Sequence, residues 1–155
     1  MERTHTYGRK ADLALGLWVK LSRAYSSFAR LSHRDIAQYG LTVPQFAVLE
    51  CLGHCGPLNQ TVLSRKMLVS GGNMTVVVDN LEKEGLVRRA DDPADRRAFH
   101  VILTVKGKKL FDAIFEQHAA FVTRTVSALT ESEQEALSRL LKKLGLALLN
   151  PSTPN

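Results

Sequence analysis

The sequence predicts a mainly α-helical fold that contains one small β-hairpin. Over most of the chain apolar residues recur every three or four positions, which is the spacing of one helix face. Between about 86 and 104, two short runs rich in Val, Leu, Ile and Phe flank a charged turn instead. At 155 residues the chain suits a single domain, and its 45% apolar content argues against intrinsic disorder.

Three helices are predicted in the first half of the chain. The first runs from about 10 to 38 and carries one apolar stripe. The second, about 42 to 54, begins with a capping-box pattern in which Thr42 is the N-cap. After a Gly-Pro break a short third helix follows, from about 59 to 67, with Asn59 as its cap.

A fourth helix is expected to begin after Ser70, a suitable N-cap, and to end at Gly85. Apolar residues at positions i, i+3, i+4 and i+7 give it one buried face: Met74, Val77, Val78 and Leu81. Its other faces are mostly polar. The second helix of a helix-turn-helix, which enters the major groove of DNA, has this organisation.

The predicted hairpin has arms at about 86–90 and 99–104. The segment between them, 91–97, is rich in Asp and Arg and contains a Pro, which is typical of a turn. A helix-turn-helix followed by a hairpin is a winged helix. Residues of about 42–104 are therefore expected to form a winged helix-turn-helix DNA-binding lobe.

Two long helices are predicted towards the C-terminal end, one of about 105–129 and a last one behind a capping box that begins at Thr130. Like the first helix, they carry apolar faces that a domain of this size would not bury alone. We therefore expect the segments of about 10–40 and 105–149 to be long N- and C-terminal dimerisation helices in one domain spanning 1–155.

The charge of the chain is unevenly distributed. Its formal net charge is +6 and its pI is near 9.6, which favours a polyanionic partner. Residues 86–110, on and beside the hairpin, hold seven basic and three acidic side chains, whereas residues 59–85 hold three of each. We therefore expect DNA affinity to come mainly from the wing and flanks, and specificity from uncharged side chains of the fourth helix.

Motifs of two other protein classes are missing from the sequence. There is no nucleophile elbow, Walker loop or HExxH motif, so we do not expect an enzyme. No apolar run is long enough to span a membrane, and no apolar signal region follows the first residues. A cytoplasmic location is expected.

Several spaced motifs in the DNA-binding lobe occur together in one known family. They are Asn73-Met74-Thr75, Leu81-Glu82, Gly85-Leu86-Val87, Asp95-Arg96-Arg97, Thr104 and Gly107. In residue type and spacing this series resembles the signature of the MarR-type (multiple antibiotic resistance regulator) winged-helix transcription factors. The helix order agrees over about 10–149. Segments 22–25, 46–50 and 70–73 look closest to a branch that includes quinone- and catechol-responsive repressors.

The resemblance implies a homodimeric transcriptional repressor that binds a pseudo-palindromic operator. Its partners would be double-stranded DNA, a second copy of the chain and a small aromatic effector that releases the operator. Neither a cofactor nor a metal is implied.

Five candidate DNA contacts lie in the first two turns of the predicted recognition helix. Ser70 and the unpaired backbone amides beside it suit a phosphate, and Gly72 allows close approach of the backbone. Asn73, Thr75 and Val76 are expected to face base edges. Asn73 is the best candidate base reader because an amide can bind adenine in bidentate fashion; alternatively it is an ordinary exposed polar residue.

Val76 departs from the MarR-type pattern, which commonly has Arg or a small polar residue at this position. Val76 either contacts a thymine methyl group or only shields the neighbouring helix. The missing charge also supports an alternative function, a winged-helix protein-interaction module without specific DNA binding.

Arg96 and Arg97 are at the predicted hairpin tip, where a guanidinium suits the minor groove or a flanking phosphate. The resemblance implies that Arg97 is the wing-tip contact; the alternative is a solvated charged turn. Five further cations are candidates for phosphate contacts or for simple solvation: Arg88, Arg89, Lys106, Lys108 and Lys109.

Aromatic residues of the first two helices are candidates for an effector cavity, because aromatic walls with a few polar tips suit a small aromatic ligand. They are Trp18, Tyr25, Phe28, His33 and Phe46, with Tyr39 nearby. The alternative is that these residues are simply core.

Cys51, His54 and Cys55 are spaced i, i+3 and i+4, so they face one way on a helix. This spacing suggests an alternative function as a metal- or thiol-responsive regulator. A structural zinc site commonly uses two separated pairs of ligands, which the sequence lacks. We therefore expect no metal, and two reduced thiols that behave as small buried hydrophobes.

Overall fold

The computed structural model describes residues 5–67, 70–91 and 99–149. Within these ranges the chain forms six helices and three strands. In order they are α1 (Arg9–Ala37), α2 (Val43–Cys55), β1 (Leu58–Asn59), α3 (Gln60–Met67), α4 (Gly71–Lys83), β2 (Val87–Asp91), β3 (Phe99–Leu103), α5 (Val105–Thr125) and α6 (Glu131–Leu149). The predicted fold, mainly helical with one small hairpin, is confirmed. None of the described helices is long and apolar enough to cross a membrane.

The helix starts follow from local hydrogen bonds that the sequence predicted. At α2 the Thr42 side chain accepts a bond from the backbone N–H of Gln45, and the Gln45 side chain accepts one from Thr42 in return. Asn59 caps α3, Ser70 caps α4, and Thr130 forms a second capping box before α6. Each cap satisfies backbone donors that a helix start would leave unpaired.

The sheet is antiparallel and has the strand order β1-β3-β2. The prediction missed β1, which is only two residues long and pairs Leu58 with Val101. The last strand ends at Leu103 rather than at Thr104, because the Thr104 hydroxyl accepts a bond from Gly107 N–H at 3.0 Å and so caps α5. The hairpin stem carries the wing beside α4.

The hydrophobic core is formed mainly by apolar residues of α2, α3, α4 and the sheet. Its fully buried members are Val48, Leu49, Leu63, Met74, Val78, Leu81, Val87 and Val101. On α4 three of the four predicted core residues are buried, while Val77 is half-buried at the edge of the stripe. The opposite face of α4 is thereby turned outwards.

Close packing also sets the start of α5. A Cβ atom at Gly107 would lie 1.9 Å from the carbonyl oxygen of Leu86, so only glycine fits between α5 and the residue that leads into β2. The predicted helix of about 105–129 ends at Thr125, and a turn follows before α6.

Internal contacts divide the chain into two compact units, one ending at His118 and the other beginning at Ala119. In the first unit α1 exposes most of its apolar residues, and of its side chains only Ile36 is buried. In the second unit α6 has no buried residue, and Leu140 and Leu148 are 60% and 69% exposed. Both helices therefore carry apolar faces without a partner inside their own unit. The single-domain organisation stays a prediction.

Candidate nucleic-acid interface

The first two turns of α4 present the residues that the sequence selected as DNA contacts. Ser70, Gly72, Asn73, Thr75 and Val76 are all exposed, whereas Met74 between them is buried in the core. The Ser70 hydroxyl accepts the backbone N–H of Asn73 at 3.4 Å, which leaves its hydrogen available to an acceptor such as a phosphate. The structure thus brings these five residues together on one uncharged surface.

The hydroxyl of the exposed residue Thr75 is hydrogen-bonded to other groups of the protein. It donates to the backbone carbonyl of Gly71 at 3.1 Å and accepts from the Gln60 side-chain amide at 2.6 Å. Gln60 is the first residue of α3, so this bond joins the two helices of the helix-turn-helix. Gln60 was not among the residues predicted from the sequence, where its only signal was its position at the start of α3.

Arg89 anchors the wing to the recognition helix. Its guanidinium pairs with Asp79 at 2.5 Å and with Glu82, and its backbone N–H donates to Glu82 at 2.9 Å. The same guanidinium lies 5.4 Å from the ring centre of Phe99 on β3. Burial acts to lower the pKa of Arg89, but the hydrogen bonds that its guanidinium donates to both carboxylates outweigh it and raise the pKa above its ordinary value. The guanidinium of Arg89 is therefore used to hold β2 against α4 rather than to bind a phosphate.

The other flanking cations differ in what they contact. Lys106 donates to the backbone carbonyl of Glu84 at 2.7 Å, and Lys108 pairs with Asp112 one helical turn away at 2.5 Å. Arg88 and Lys109 are exposed. The first of these exposed cations lies on β2 and the second in the first turns of α5, so both remain candidates for phosphate contacts.

The tip of the wing lies outside the described residues, and with it Arg96 and Arg97. The stem is described as far as Asp91, which pairs with Phe99 across the hairpin. The stem of the predicted wing is thus confirmed as far as the pair of Asp91 and Phe99. The roles of Arg96 and Arg97 stay predictions.

Comparison with known proteins identifies this arrangement. The model of the MarR family matches residues 41–99, which include α2, α3, α4 and β2 and end at the first residue of β3. The HTH-type transcriptional regulator MhqR of Bacillus subtilis (strain 168) is 41% identical over 137 residues, which cover 87% of this chain and 93% of the relative. The chain belongs to the MarR family. It is a DNA-binding transcriptional regulator, as the sequence predicted, and not an enzyme.

Two solved structures of this class are similar to the MarR-family chain described here. Sco3205 of Streptomyces coelicolor, a MarR family transcriptional regulator in complex with DNA, has a TM-score of 0.82 and 24% identity, over 99% of this chain and 97% of that one. BpsR of Bordetella bronchiseptica, whose DNA binding is regulated by 6-hydroxynicotinic acid, has a TM-score of 0.74 and 26% identity, over 84% and 98%. The first supports the fold alone.

Within one chain of this MarR-family protein the candidate effector residues differ in exposure. Trp18 and Tyr25 are 65% and 72% exposed on α1, and His33 is also exposed. Phe28 is half-buried, while Phe46 is buried in the core. Their role in binding an effector stays a prediction.

Phe46 packs instead against a buried polar pair. Its ring lies 4.5 Å from the ring of His118, whose Nδ1 is 2.6 Å from a carboxylate oxygen of Asp35. The side chains of His118 and Asp35 are only 11% and 8% exposed. This pair joins α1 to α5 beside α2. His118 was not predicted from the sequence to belong to any site.

The side chains of Cys51, His54 and Cys55 differ in their surroundings. The ring of His54 lies 4.4 Å from that of Phe115, with their planes nearly perpendicular. Burial raises the pKa of the Cys51 thiol, and the neighbouring Cys55 adds to the shift. Cys55 is exposed, which corrects the expectation that both thiols are buried. In the described ranges no three His, Cys, Asp or Glu residues are grouped so that they could hold a metal ion.

Proposed function

We propose that the protein is a homodimeric repressor that binds a pseudo-palindromic operator and releases it when a small aromatic molecule binds. The observation that carries the proposal is the exposed, uncharged surface of α4 beside strand β2, on which Arg88 is exposed. Such a surface fits a major groove, where base edges are read by uncharged side chains and cations bind the phosphates.

In this proposal the DNA contacts divide into two groups. Ser70 and Gly72 bring the start of α4 close to a phosphate, and Asn73, Thr75 and Val76 face the bases. Arg96 and Arg97, at the tip of the wing, bind the minor groove or flanking phosphates: their charge and planar shape suit both sites.

A second copy of the chain completes the proposed regulator. The exposed apolar faces of α1 and α6 need cover, and pairing of identical faces about a two-fold axis supplies it. Such a dimer presents two recognition helices, so its operator would be an inverted repeat whose half-sites lie about one helical turn, or 34–36 Å, apart.

The proposed effector is a small aromatic or phenolic compound. Regulation of the similar protein BpsR by 6-hydroxynicotinic acid supports this class of ligand. The exposed aromatic rings of Trp18 and Tyr25 on α1, with Phe28, His33 and the buried Phe46, are the proposed binding residues. Because two of these rings are exposed in one chain, we place the cavity where a second subunit would cover α1.

The test begins with duplexes that the immobilised protein selects from random-sequence DNA. We expect an inverted repeat, steep weakening of binding with salt, and release by members of a panel of phenols and hydroxylated aromatic acids. Arg97→Ala should weaken binding to all duplexes, while Asn73→Ala should relax sequence preference at one base pair per half-site. Equal affinity for selected and unselected duplexes would contradict the proposal, and so would Arg97→Ala and Asn73→Ala proteins that bind as the unmodified protein does.

A further inference from the structure

Two residues with methyl groups, Thr75 and Val76, are exposed side by side in the first two turns of α4. Val76 is 59% exposed although it is apolar, and its neighbour Thr75 is exposed as well. The acidic residues Asp79 and Glu82 lie further along the helix, where Arg89 pairs with both. No charged residue therefore occurs in the first two turns, where a recognition helix contacts bases.

The contacts of Thr75 decide what its side chain can offer to DNA. The hydroxyl hydrogen is donated to the Gly71 carbonyl, and one of the two oxygen lone pairs is taken by the Gln60 amide. Thr75 therefore has no hydroxyl donor left for a base. The group that Thr75 can still offer to a base is its γ-methyl group, which makes apolar contacts and no hydrogen bond.

We propose that Thr75 and Val76 recognise thymine through its C5-methyl group, and that Gln60 is a positioning residue which holds the Thr75 hydroxyl against the protein. The inference rests on the proposed binding of an operator through α4. In the major groove thymine is the only base that presents a methyl group, and apolar side chains are its matching partners. The operator would then have a thymine opposite each of these two residues in every half-site.

The test replaces thymines by deoxyuridines, one at a time, in the duplex that the protein selects from random-sequence DNA. Uracil keeps every hydrogen-bonding group of thymine and lacks only the methyl group. At two positions in each half-site we expect affinity to fall about fourfold, the factor that corresponds to burial of one methyl group. At thymines outside the contacted base pairs, affinity should stay the same.

Variants at the two residues assign each thymine to its side chain. Val76→Ala should abolish the difference between thymine and uracil at one position, whereas Val105→Ala, at a still more exposed valine of α5, should keep it. Thr75→Ser removes the γ-methyl and should abolish the difference at the second position. Thr75→Val replaces the hydroxyl by a second γ-methyl group, so a methyl group faces the base without the bonds of the hydroxyl, and the difference should be retained. These ratios do not depend on the fraction of folded protein.

Gln60→Ala tests the positioning role. It releases one of the two bonds that hold the Thr75 hydroxyl, so the thymine-to-uracil ratio should fall at the position of Thr75 and stay unchanged at that of Val76. Unchanged ratios at both positions would overturn the role of Gln60.

Two failures can be told apart. A protein that prefers its selected duplex but binds thymine and uracil equally at every position overturns methyl recognition and leaves the proposed regulator intact. The reverse pattern at Thr75, with Thr75→Ser retaining the ratio and Thr75→Val losing it, would show that the hydroxyl reads the base. A protein with no preferred duplex overturns both proposals.

Discussion

Arg89 on β2 and Asp79 on α4 are joined by a salt bridge of 2.5 Å. Glu82, one turn further along α4, binds the same guanidinium, so two carboxylates of the recognition helix hold one cation of the wing. Planar guanidinium groups suit such paired contacts because their donors point in fixed directions. The wing and the recognition helix are therefore expected to meet DNA in one fixed relative orientation.

Loss of this anchor should weaken both stability and DNA binding. The three side chains are partly exposed, so we expect Arg89→Gln to lower the free energy of unfolding by about 1 kcal/mol. The affinity for the operator should also fall, because the wing is no longer fixed to α4. Urea unfolding at one protein concentration and titration with the selected duplex measure the two effects. Arg88→Gln, at the exposed neighbouring residue, is the control for stability. Equal free energies of unfolding in the two variants would contradict the anchoring role of Arg89.

Gly107 should tolerate no side chain. Because an added Cβ would meet the Leu86 carbonyl at 1.9 Å, α5 and the start of β2 must move apart in Gly107→Ala. Overpacking of this kind costs about 1–3 kcal/mol. Thermal or urea unfolding should show the loss, while Lys109→Ala in the same turn should stay within about 0.5 kcal/mol of the unmodified protein. Full stability of Gly107→Ala would show that the backbone adjusts at no cost.

Gly72 should give the opposite result. A Cβ at this position meets no atom within 4 Å, and alanine favours a helix by up to about 1 kcal/mol, so Gly72→Ala should be at least as stable as the unmodified protein. Its affinity for the selected duplex should nevertheless fall, because the methyl group would stand between α4 and the DNA backbone. A variant that binds as tightly as the unmodified protein would remove Gly72 from the interface.

The sequence predicted best the features that depend on near neighbours along the chain. The cap at Thr42 needs only Gln45, three residues away, and the same is true of Ser70 with Asn73. The spacing of residues along the chain is therefore enough to predict the helix starts and the face that α4 buries.

The missed features depend on residues that only the fold brings together. Gln60 and Thr75 are 15 residues apart, and Asp35 and His118 are 83 apart. Spacing along the chain carries no signal for such pairs. In the same way the basic composition of the hairpin region does not reveal that Arg89 is held by acidic residues of α4. The two-residue strand β1 has no room for an alternating pattern and is defined only by its pairing with β3.

The buried pair of Asp35 and His118 should make a large contribution to stability. His118→Ala would leave the Asp35 carboxylate buried without its partner on α5, and removing one partner of a buried hydrogen bond costs about 1–3 kcal/mol. Gln38→Ala, which removes the second donor to Asp35 from an exposed side chain, is the matched control and should cost far less. Similar losses in the two variants would mean that the pair is not linked to the packing of α1 on α5.

Thiol reactivity should distinguish the two cysteines of α2. Burial disfavours the Cys51 thiolate and raises its pKa, whereas Cys55 is exposed to reagents. We expect iodoacetamide at neutral pH to modify Cys55 quickly and Cys51 slowly. The rate at Cys51 should rise only at alkaline pH, because the fold keeps this thiol protonated at lower pH and the thiolate is the reactive form. Mass spectrometry of Cys51→Ser and Cys55→Ser proteins assigns the two phases. Faster reaction of Cys51 than of Cys55 near pH 7 would show that the fold stabilises the Cys51 thiolate. It would then favour the alternative function as a thiol-responsive regulator.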